Sequence, residues 1–443
     1  MYHIIENTIR LAVTTCHDVV LAQNGEQPLA VSNIYTKPST RDTSEASGFH
    51  QTTNTVAEAM QSELQENVFS GISNFWEIFF EGKAWSKQTS HIWECYKTYE
   101  EAEDCKRPTA NQNIITLKEE MTERQVWEWL NFFKDKFLNQ LHGPIEEPLK
   151  NCKVVIEANR PQLRGHYCNT KAMKSTVSTA ANAQVDFLIQ SMKLSDDEPQ
   201  WKDVKVVAEF SKKTHKNERK AKFLKLSGYV REVFCAQPLR RFVHCFFFLT
   251  TKFELWVFDR TGAYSSGLKS IVSEKEMFVR AISSYLLMTD EELGLDLSTS
   301  QVGENLFVTI KGSNDDPTMQ FQIEPKPIIQ PQRLITRGST CFETEDKLSV
   351  VKYAWTGVKG CSEIDFLKFA LPVRSVVNYI TSDEIYRTSH HLGSLDFTDA
   401  DAWDLETETL IISRVTHLMQ PTVSPWDRDC RLIRIAFTPR GQP

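Results

Sequence analysis

The feature that most constrains the fold is a dense apolar run at residues 242–258. Its sequence, FVHCFFFLTTKFELWVF, is interrupted by His244, Lys252 and Glu254. A helix that crosses a membrane needs roughly 20 consecutive apolar residues, and no run in the sequence approaches that length. Two shorter runs rich in aromatic and β-branched residues instead predict a hairpin of buried strands.

The segments on either side of this hairpin predict a mixture of strands and helices. Residues 182–192 and 201–212 have the alternating, β-branched character of strands. Residues 217–236 and 275–288 are longer and carry apolar side chains at helical spacing. We therefore expect an α/β texture in this part of the chain.

The region before it is predicted to be mostly helical. Its clearest helix begins after Thr122, where Gln125, three residues later, completes a capping box. Apolar side chains then recur at helical spacing at Val126, Leu130, Phe133, Phe137 and Leu141. A stripe of this kind usually packs into a core and seldom binds a ligand.

Two segments predict domain boundaries. Residues 36–56 are rich in Ser and Thr and predict a flexible linker, whereas residues 325–332, PKPIIQPQ, predict an extended connection. The predicted parts are an N-terminal segment with its linker (1–56), a mostly helical region (57–149), an α/β domain (150–325) and a final domain (326–443).

Composition excludes some classes of protein. An apolar content of 41% is sufficient for sizeable cores, which argues against a disordered chain. The net charge of −7 argues against binding of a polyanion over the whole surface and leaves local basic patches open.

The final domain predicts strands around one helix and contains a candidate phosphate site. Small residues in a tight loop allow backbone N–H groups to approach phosphate oxygens. The candidates in this loop are Gly338, Ser339 and Thr340. Lys352 on the following strand would neutralise phosphate charge, and Glu363 on the next helix, favoured over Asp365, would hold that lysine. The alternative is that Lys352 is a surface lysine at a strand end.

A second candidate site in the α/β domain is formed by Asp186 and Glu209. Two carboxylates are hard oxygen ligands suited to Mg2+, and a lysine beside them steadies the attacking water or the developing charge in a metal-dependent nuclease. Ser211 occupies the strand position of that lysine, and Lys213 is the next lysine on the same face. The alternative is a pair of ordinary, solvated carboxylates.

A cluster of basic residues follows Ser211. Its members are Lys212, Lys213, Lys216, Arg219, Lys220, Lys222 and Lys225. This density of positive charge favours contact with nucleic acid or another acidic partner. No aromatic stacking platform is interleaved, and such a run is more often the solvated face of a helix.

Several segments of the chain together form a recognisable pattern. The most specific stretch is 229–266, which contains Gln237, Arg241, Trp256, Asp259, Arg260 and Gly262. The other segments are WKDVKVVAEFSKK, MTDEELGLDLS, LITRGSTCF, VVKYAW and EIDFLKFA. By these residues the chain resembles, over residues 180–443, the fungal-type (fungal-specific) protein kinase family.

The resemblance implies a multidomain fold of the α+β / α/β class. It implies a helical N-terminal part, a mixed-sheet domain like that of restriction endonucleases, and then the small lobe of a protein kinase, an antiparallel sheet plus one helix. By this resemblance Lys352 and Glu363 form the ion pair that organises ATP and Mg2+. Asp186 and Glu209 carry over as nuclease-like catalytic carboxylates and metal ligands.

The sequence contains no H-R-D and no D-F-G segment, which supply the base and a metal ligand of a protein kinase. It stops at Pro443, where a large lobe would begin. We therefore expect a truncated, pseudokinase-like protein that binds ATP without phosphotransfer activity on its own. Two alternatives stay open, a divergent nuclease-like or nucleic-acid-binding protein and a non-catalytic interaction module.

The expected location is intracellular, because Glu6 and Arg10 interrupt the first apolar run and no secretory signal is predicted. The expected partners are a protein substrate, a separate large lobe, or nucleic acid bound by the basic cluster. The sequence predicts no particular oligomeric state.

Overall fold

A computed structural model describes most of the chain between residues 53 and 438. The described residues are 53–65, 67–104, 116–118, 120–138, 163–168, 173–174, 182–183, 185–191, 200–211, 218–312, 316–358, 363–370, 377–398, 400–403, 410–411 and 429–438. The predictions for Leu141, for Lys212, Lys213 and Lys216 of the basic cluster, and for most of the N-terminal segment lie outside these residues.

The helices and strands form a mixed α/β arrangement, and a short strand lies within the region predicted to be mostly helical. The helices are α1 (Thr53–Leu64), α2 (Phe75–Phe80), α3 (Ser86–Asp104), α4 (Glu123–Phe133), α5 (Glu218–Ala236), α6 (Lys275–Leu287), α7 (Glu363–Phe369) and α8 (Ser389–Leu392). The first ten strands are β1 (Val68–Ser70), β2 (Gly165–Cys168), β3 (Met173–Lys174), β4 (Asn182–Ala183), β5 (Phe187–Ser191), β6 (Val204–Ser211), β7 (Phe242–Leu249), β8 (Lys252–Asp259), β9 (Ala263–Ser265) and β10 (Lys269–Ser270). The others are β11 (Thr299–Val302), β12 (Asn305–Ile310), β13 (Met319–Ile323), β14 (Thr340–Glu343), β15 (Val350–Gly357), β16 (Asn378–Arg387), β17 (Asp401–Trp403), β18 (Leu410–Ile411) and β19 (Cys430–Thr438). None of the helices in the described ranges is long and apolar enough to span a bilayer.

Helix α4 begins where its capping box predicts. The Gln125 side chain accepts a hydrogen bond from the Thr122 N–H (2.8 Å), and the Thr122 hydroxyl accepts one from the Gln125 N–H (3.3 Å). These two bonds satisfy N–H groups that the first turn of a helix leaves free. A π-helical turn at Lys134–Leu138 continues the helix.

The largest sheet has ten strands and contains the predicted hairpin. Its order is β18-β17-β1-β9-β8-β7-β6-β5-β2, with β10 paired to β8. Strands β7 and β8 pair antiparallel along their full length, from Phe242 opposite Asp259 to Leu249 opposite Lys252. Strands β6 and β7 pair in parallel, as do β1 and β9.

Helices cover both faces of this sheet. On one face, Val243 and Phe247 of β7 pack with Phe223 of α5. On the other, Phe246 and Phe248 belong to a core cluster that includes residues of α2, α4 and α6. Because both faces are buried, β7 is apolar at almost every position, which explains the continuous apolar run in the sequence.

The rest of the chain adds smaller antiparallel sheets. Strands β11-β12-β13 form one, and β14-β15-β19-β16 form another, which α7 covers on one face. The opposite face, with Tyr353 and Trp355, joins the main core. The mixed α/β class is confirmed. The nuclease-like domain and the kinase-like lobe stay predictions at this level.

Contacts cross the predicted boundary near residue 325. The Arg260 guanidinium donates to the carbonyl oxygen of Arg333 (2.8 Å), and the Glu63 carboxylate accepts from the Leu334 N–H (2.7 Å). Strand β17 pairs with β1, which joins the C-terminal part of the chain to the large sheet. The chain segments on the two sides of residue 325 therefore contact each other extensively. The domain bounds themselves stay a prediction.

Candidate functional site

The structure brings Lys352 and Glu363 together beneath helix α7. The Lys352 ammonium Nζ lies 2.5 Å from Glu363 Oε1, and the two side chains are 17% and 21% exposed. Partial burial of this kind keeps an ion pair less screened than it would be in open solvent.

Strand alternation explains why Lys352 lies on the helix side. Successive side chains of a strand point to opposite faces, so Val351 and Tyr353 enter the main core, whereas Lys352 and Ala354 lie toward α7. Glu363 is the first residue of α7, and Asp365, two residues further along, is exposed. Two residues correspond to about 200° around a helix, so the two carboxylates lie on different sides of α7.

The surroundings of the pair are apolar. Cys341 on β14 and Ile435 on β19 are the direct neighbours of Lys352 across the sheet. Burial raises the pKa of the Cys341 thiol to about 11, although the nearby Lys352 charge acts in the opposite direction. The thiol is therefore neutral near pH 7, and the ammonium of Lys352 has Glu363 as its anionic contact.

The predicted phosphate loop has a different role in the fold. Gly338 has φ +55°, and a Cβ atom there would lie 2.9 Å from Cδ1 of Trp355. Thr340 is fully buried and stands opposite Tyr353, on the face of the sheet away from Lys352, while Ser339 is half-buried. Packing against Trp355 therefore accounts for the glycine, and the Thr340 side chain does not join the Lys352–Glu363 pair.

The structure also brings together Asp186 and Glu209. Asp186 directly precedes β5, which pairs with β6, and its Oδ2 accepts a hydrogen bond from the Phe210 N–H (3.0 Å). Glu209 on β6 has no exposed surface. The two carboxylates are neighbours because adjacent strands carry them at the same level of the sheet.

The lysines of this second cluster come from helix α5. Lys225 Nζ lies 2.6 Å and Lys222 Nζ 3.4 Å from Glu209 Oε1, and each is 3.9 Å from an oxygen of Asp186. Their spacing of three residues places both on one side of the helix. Sequence reasoning assigned the site lysine to Lys213 instead. The helical spacing of Lys222 and Lys225 could have shown that they lie on the same side of α5. It could not have shown which strand that side of the helix packs against.

The two carboxyl groups have opposite pKa shifts. Burial raises the pKa of Glu209 to about 8, and the neighbouring Asp186 adds to the rise. Burial also acts to raise the pKa of Asp186, but hydrogen bonds with Glu209 and from the Phe210 N–H outweigh it and leave that pKa below its usual value. The shared burial and the contact between the two carboxyl groups therefore move their pKa values apart.

The surroundings of the Asp186–Glu209 cluster determine whether it could bind a metal ion and whether the basic cluster could bind a polyanion. Glu209 is fully buried, and its carboxylate contacts Lys225 and Lys222. Within those residues, no group of three or more His, Cys, Asp and Glu side chains could hold a metal ion. Arg219 of the basic cluster contacts the buried Glu254 carboxylate at 2.6 Å, so Arg219, Lys222 and Lys225 all contact internal carboxylates.

Comparison with known proteins identifies the family. The family model described as "Fungal protein kinase" matches residues 184–422, a span that includes the Lys352–Glu363 pair and the Asp186–Glu209 cluster. No curated protein and no solved structure matches the chain. Because the matched residues make up more than half of the sequence, the chain belongs to the fungal protein kinase family.

Proposed function

We propose that the chain binds a nucleoside triphosphate, with Lys352 as the cation that contacts the phosphates and Glu363 as the group that holds Lys352 in place. The contact between Lys352 Nζ and Glu363 Oε1 is the observation that carries this proposal. Kinases use a strand lysine held by a helix glutamate in this way. The ammonium has three donors, so it can contact a phosphate oxygen while it keeps Glu363.

The family implies ATP and Mg2+ in general terms. The residues beside Lys352 fit the phosphates of ATP. The Lys352 ammonium lies among apolar side chains, where its attraction for an anion is weakly screened. Glu363 already contacts Lys352, so the proposal assigns no metal ligand at this site. It covers ATP binding, and we expect no phosphotransfer by these residues alone.

Titration of the full chain with a fluorescent ATP analogue tests this proposal. Lys352→Met should weaken binding by about tenfold or more, as expected for the loss of a charge-assisted hydrogen bond. Lys326→Met, which removes an exposed lysine near the same sheet, should leave the dissociation constant unchanged. Equal affinities of Lys352→Met and the unsubstituted chain would exclude Lys352 as the phosphate contact.

The Asp186–Glu209 cluster supports a second candidate function, metal-dependent hydrolysis of phosphodiesters by a restriction-endonuclease-like domain. The specific observation in its favour is the juxtaposition of the two carboxylates with Lys222 and Lys225. Mg2+ is commonly held by one or two carboxylates together with water and phosphate oxygens, which fits a site with two neighbouring carboxylates. In this proposal Lys225 has the role that the sequence assigned to Lys213.

Incubation of plasmid and single-stranded DNA with the chain and Mg2+ tests the second candidate. Cleavage should disappear in Asp186→Asn and in Glu209→Gln, and it should persist in Asp346→Asn, which changes an exposed carboxylate elsewhere. Intact substrates at high protein concentration would exclude hydrolysis of DNA by this cluster.

A further inference from the structure

Helix α7, which carries Glu363, has few apolar contacts. Leu367 is its only buried side chain among seven residues, all of which the structure describes. The small cluster that packs it onto the sheet has five buried members, and Ile364 of the helix is partly buried against them. The five are Ala354, Leu367, Ala370, Ile433 and Ile435. Because so short a helix is not stable in isolation, its position depends strongly on polar contacts at its ends.

At the C-terminal end of α7, Lys368 binds a carboxylate that belongs to neither the helix nor the four-stranded sheet. Lys368 Nζ lies 2.8 Å from Asp316 Oδ2. The same oxygen accepts a hydrogen bond from the Tyr379 hydroxyl of β16, which is also 2.7 Å from Ser382 Oγ. We name these four residues (Asp316, Lys368, Tyr379 and Ser382) the Asp316 clasp.

The segment that carries Asp316 is fixed to the sheet independently of α7. The Thr381 hydroxyl of β16 donates to the Pro317 carbonyl oxygen (2.9 Å), and the Thr318 hydroxyl donates to that of Lys311 (2.6 Å). The Lys311 N–H in turn donates to the Asp383 carboxylate (3.1 Å). Asp316 therefore presents its carboxylate from the sheet framework toward the helix.

Both charged groups of the clasp are ionised near neutral pH. Burial acts to raise the pKa of Asp316, but the hydrogen bonds from Lys368 and Tyr379 outweigh it and lower that pKa. The hydrogen bond with Asp316 raises the pKa of Lys368. The ammonium of Lys368 also lies 5.0 Å from the centre of the Tyr379 ring, a cation–π distance.

We propose that Asp316 is a positioning residue for the Lys352–Glu363 pair. The clasp holds the C-terminal end of α7 against β16, and α7 holds Glu363 at its other end, five residues and about 7.5 Å away. Loss of the clasp allows the short helix to tilt and lowers the fraction of molecules in which Glu363 contacts Lys352. The inference rests on the proposed nucleotide binding, because the Lys352–Glu363 pair is the proposed phosphate contact of that function.

The test measures the reactivity of Lys352 toward an amine-acetylating reagent in the nucleotide-free full chain, by mass spectrometry of the peptide that contains it. An amine held against the Glu363 carboxylate is less accessible to the reagent, so a smaller paired fraction gives faster acetylation. Asp316→Asn and Lys368→Met should each raise the rate about two- to fivefold, the range expected for loss of an ion pair that solvent reaches in part. Lys368→Arg keeps the charge and should restore most of the protection.

Two further variants separate the clasp from general destabilisation. Tyr379→Phe removes only the hydroxyl and should raise the Lys352 rate by a smaller factor. Asp346→Asn removes an exposed carboxylate that bonds Thr344 and Leu348 in the β14–β15 turn, and it should leave the rate unchanged. Urea midpoints of all variants, measured in parallel, should stay within error of the unsubstituted chain.

The outcomes distinguish this inference from the proposed function. Unchanged Lys352 reactivity in Asp316→Asn and Lys368→Met would overturn the clasp, and so would an equal rise in Asp346→Asn. If reactivity rises as expected but the unsubstituted chain does not bind the ATP analogue, the clasp stands and the nucleotide-binding proposal falls.

Discussion

At the scale of single residues, the sequence signals are of two kinds, those that predict a functional contact and those that reflect a structural one. The family resemblance predicted that Lys352 and Glu363 meet, although the helix phase alone did not choose between Glu363 and Asp365, and the structure places Lys352 and Glu363 2.5 Å apart. Asp259 and Arg260, in the most specific stretch of the family resemblance, are structural: the Asp259 carboxylate accepts from the Thr261 N–H, and Arg260 binds the segment at Arg333. A residue that matches the family pattern can therefore have a structural role or a functional one. The contacts of its side chain show which role it has.

Gly338 gives the clearest prediction for stability at this scale. Gly338→Ala should destabilise the fold by about 1–3 kcal/mol, because its φ of +55° is unfavourable for alanine and the added Cβ would meet Trp355. Gly303→Ala is the matched control, since Gly303 has a similar φ of +63° and no atom within 4 Å of the added Cβ. Urea denaturation should show the larger loss for Gly338→Ala. Equal losses would mean that the Trp355 contact is unimportant.

The choice between two carboxylates of α7 gives a prediction for binding. Glu363→Gln should weaken binding of an ATP analogue about fivefold, because Lys352 loses its anionic contact, whereas Asp365→Asn should not. Isothermal titration calorimetry on both variants measures the difference. A weaker affinity only in Asp365→Asn would assign the role of Glu363 to Asp365.

At the scale of elements, the predictions succeeded where the pattern is local. Helix α5 was predicted at 217–236 and runs over Glu218–Ala236, because periodicity marks a helix within its own sequence. Which side of α5 meets which strand could not be predicted. Lys222 and Lys225 face Glu209 because α5 crosses β6, and the pairing of β1 with β17 joins residues that are far apart in sequence.

A buried ion pair between two strands of the four-stranded sheet, whose arginine also bonds to the neighbouring three-stranded sheet, gives a prediction at the scale of elements. Arg434 of β19 contacts Asp383 of β16 at 2.6 Å, and the same guanidinium donates to the Thr309 carbonyl oxygen of β12 at 2.9 Å. Asp383→Asn should cost about 3–5 kcal/mol, because it leaves a buried guanidinium without its counter-ion. Arg387→Met, which breaks the more exposed pair with Glu384, should cost less than about 1 kcal/mol.

Chemical denaturation of these two variants measures both costs. The double variant Asp383→Leu/Arg434→Met provides the further comparison, since removal of both charges should destabilise less than Asp383→Asn alone. If Asp383→Asn is as stable as Arg387→Met, the Asp383–Arg434 pair does not hold the two sheets together.

At the scale of the whole molecule, one core joins the parts that the sequence divides. Phe80 of α2, Phe246 of β7 and Trp355 of β15 belong to the same buried cluster, although they come from three predicted parts. Proline-rich and serine-rich segments mark where a chain can be extended, but they contain no information about the faces that pack together. Tyr353 and Trp355 fill one face of the four-stranded sheet, and that face is covered by the rest of the molecule.

The shared core predicts that the final domain does not fold by itself. A fragment of residues 326–443 would expose Val351, Tyr353 and Trp355, which are at most 4% exposed in the full chain, and it would lose the contacts of Arg260 and Glu63. We therefore expect the fragment to lack near-ultraviolet circular dichroism and a cooperative urea transition. The full chain should unfold in one transition, with coincident curves from tryptophan fluorescence and circular dichroism. Two separate transitions in the full chain, together with cooperative unfolding of the fragment, would instead support the boundary predicted at residue 325 as the border of an independent domain.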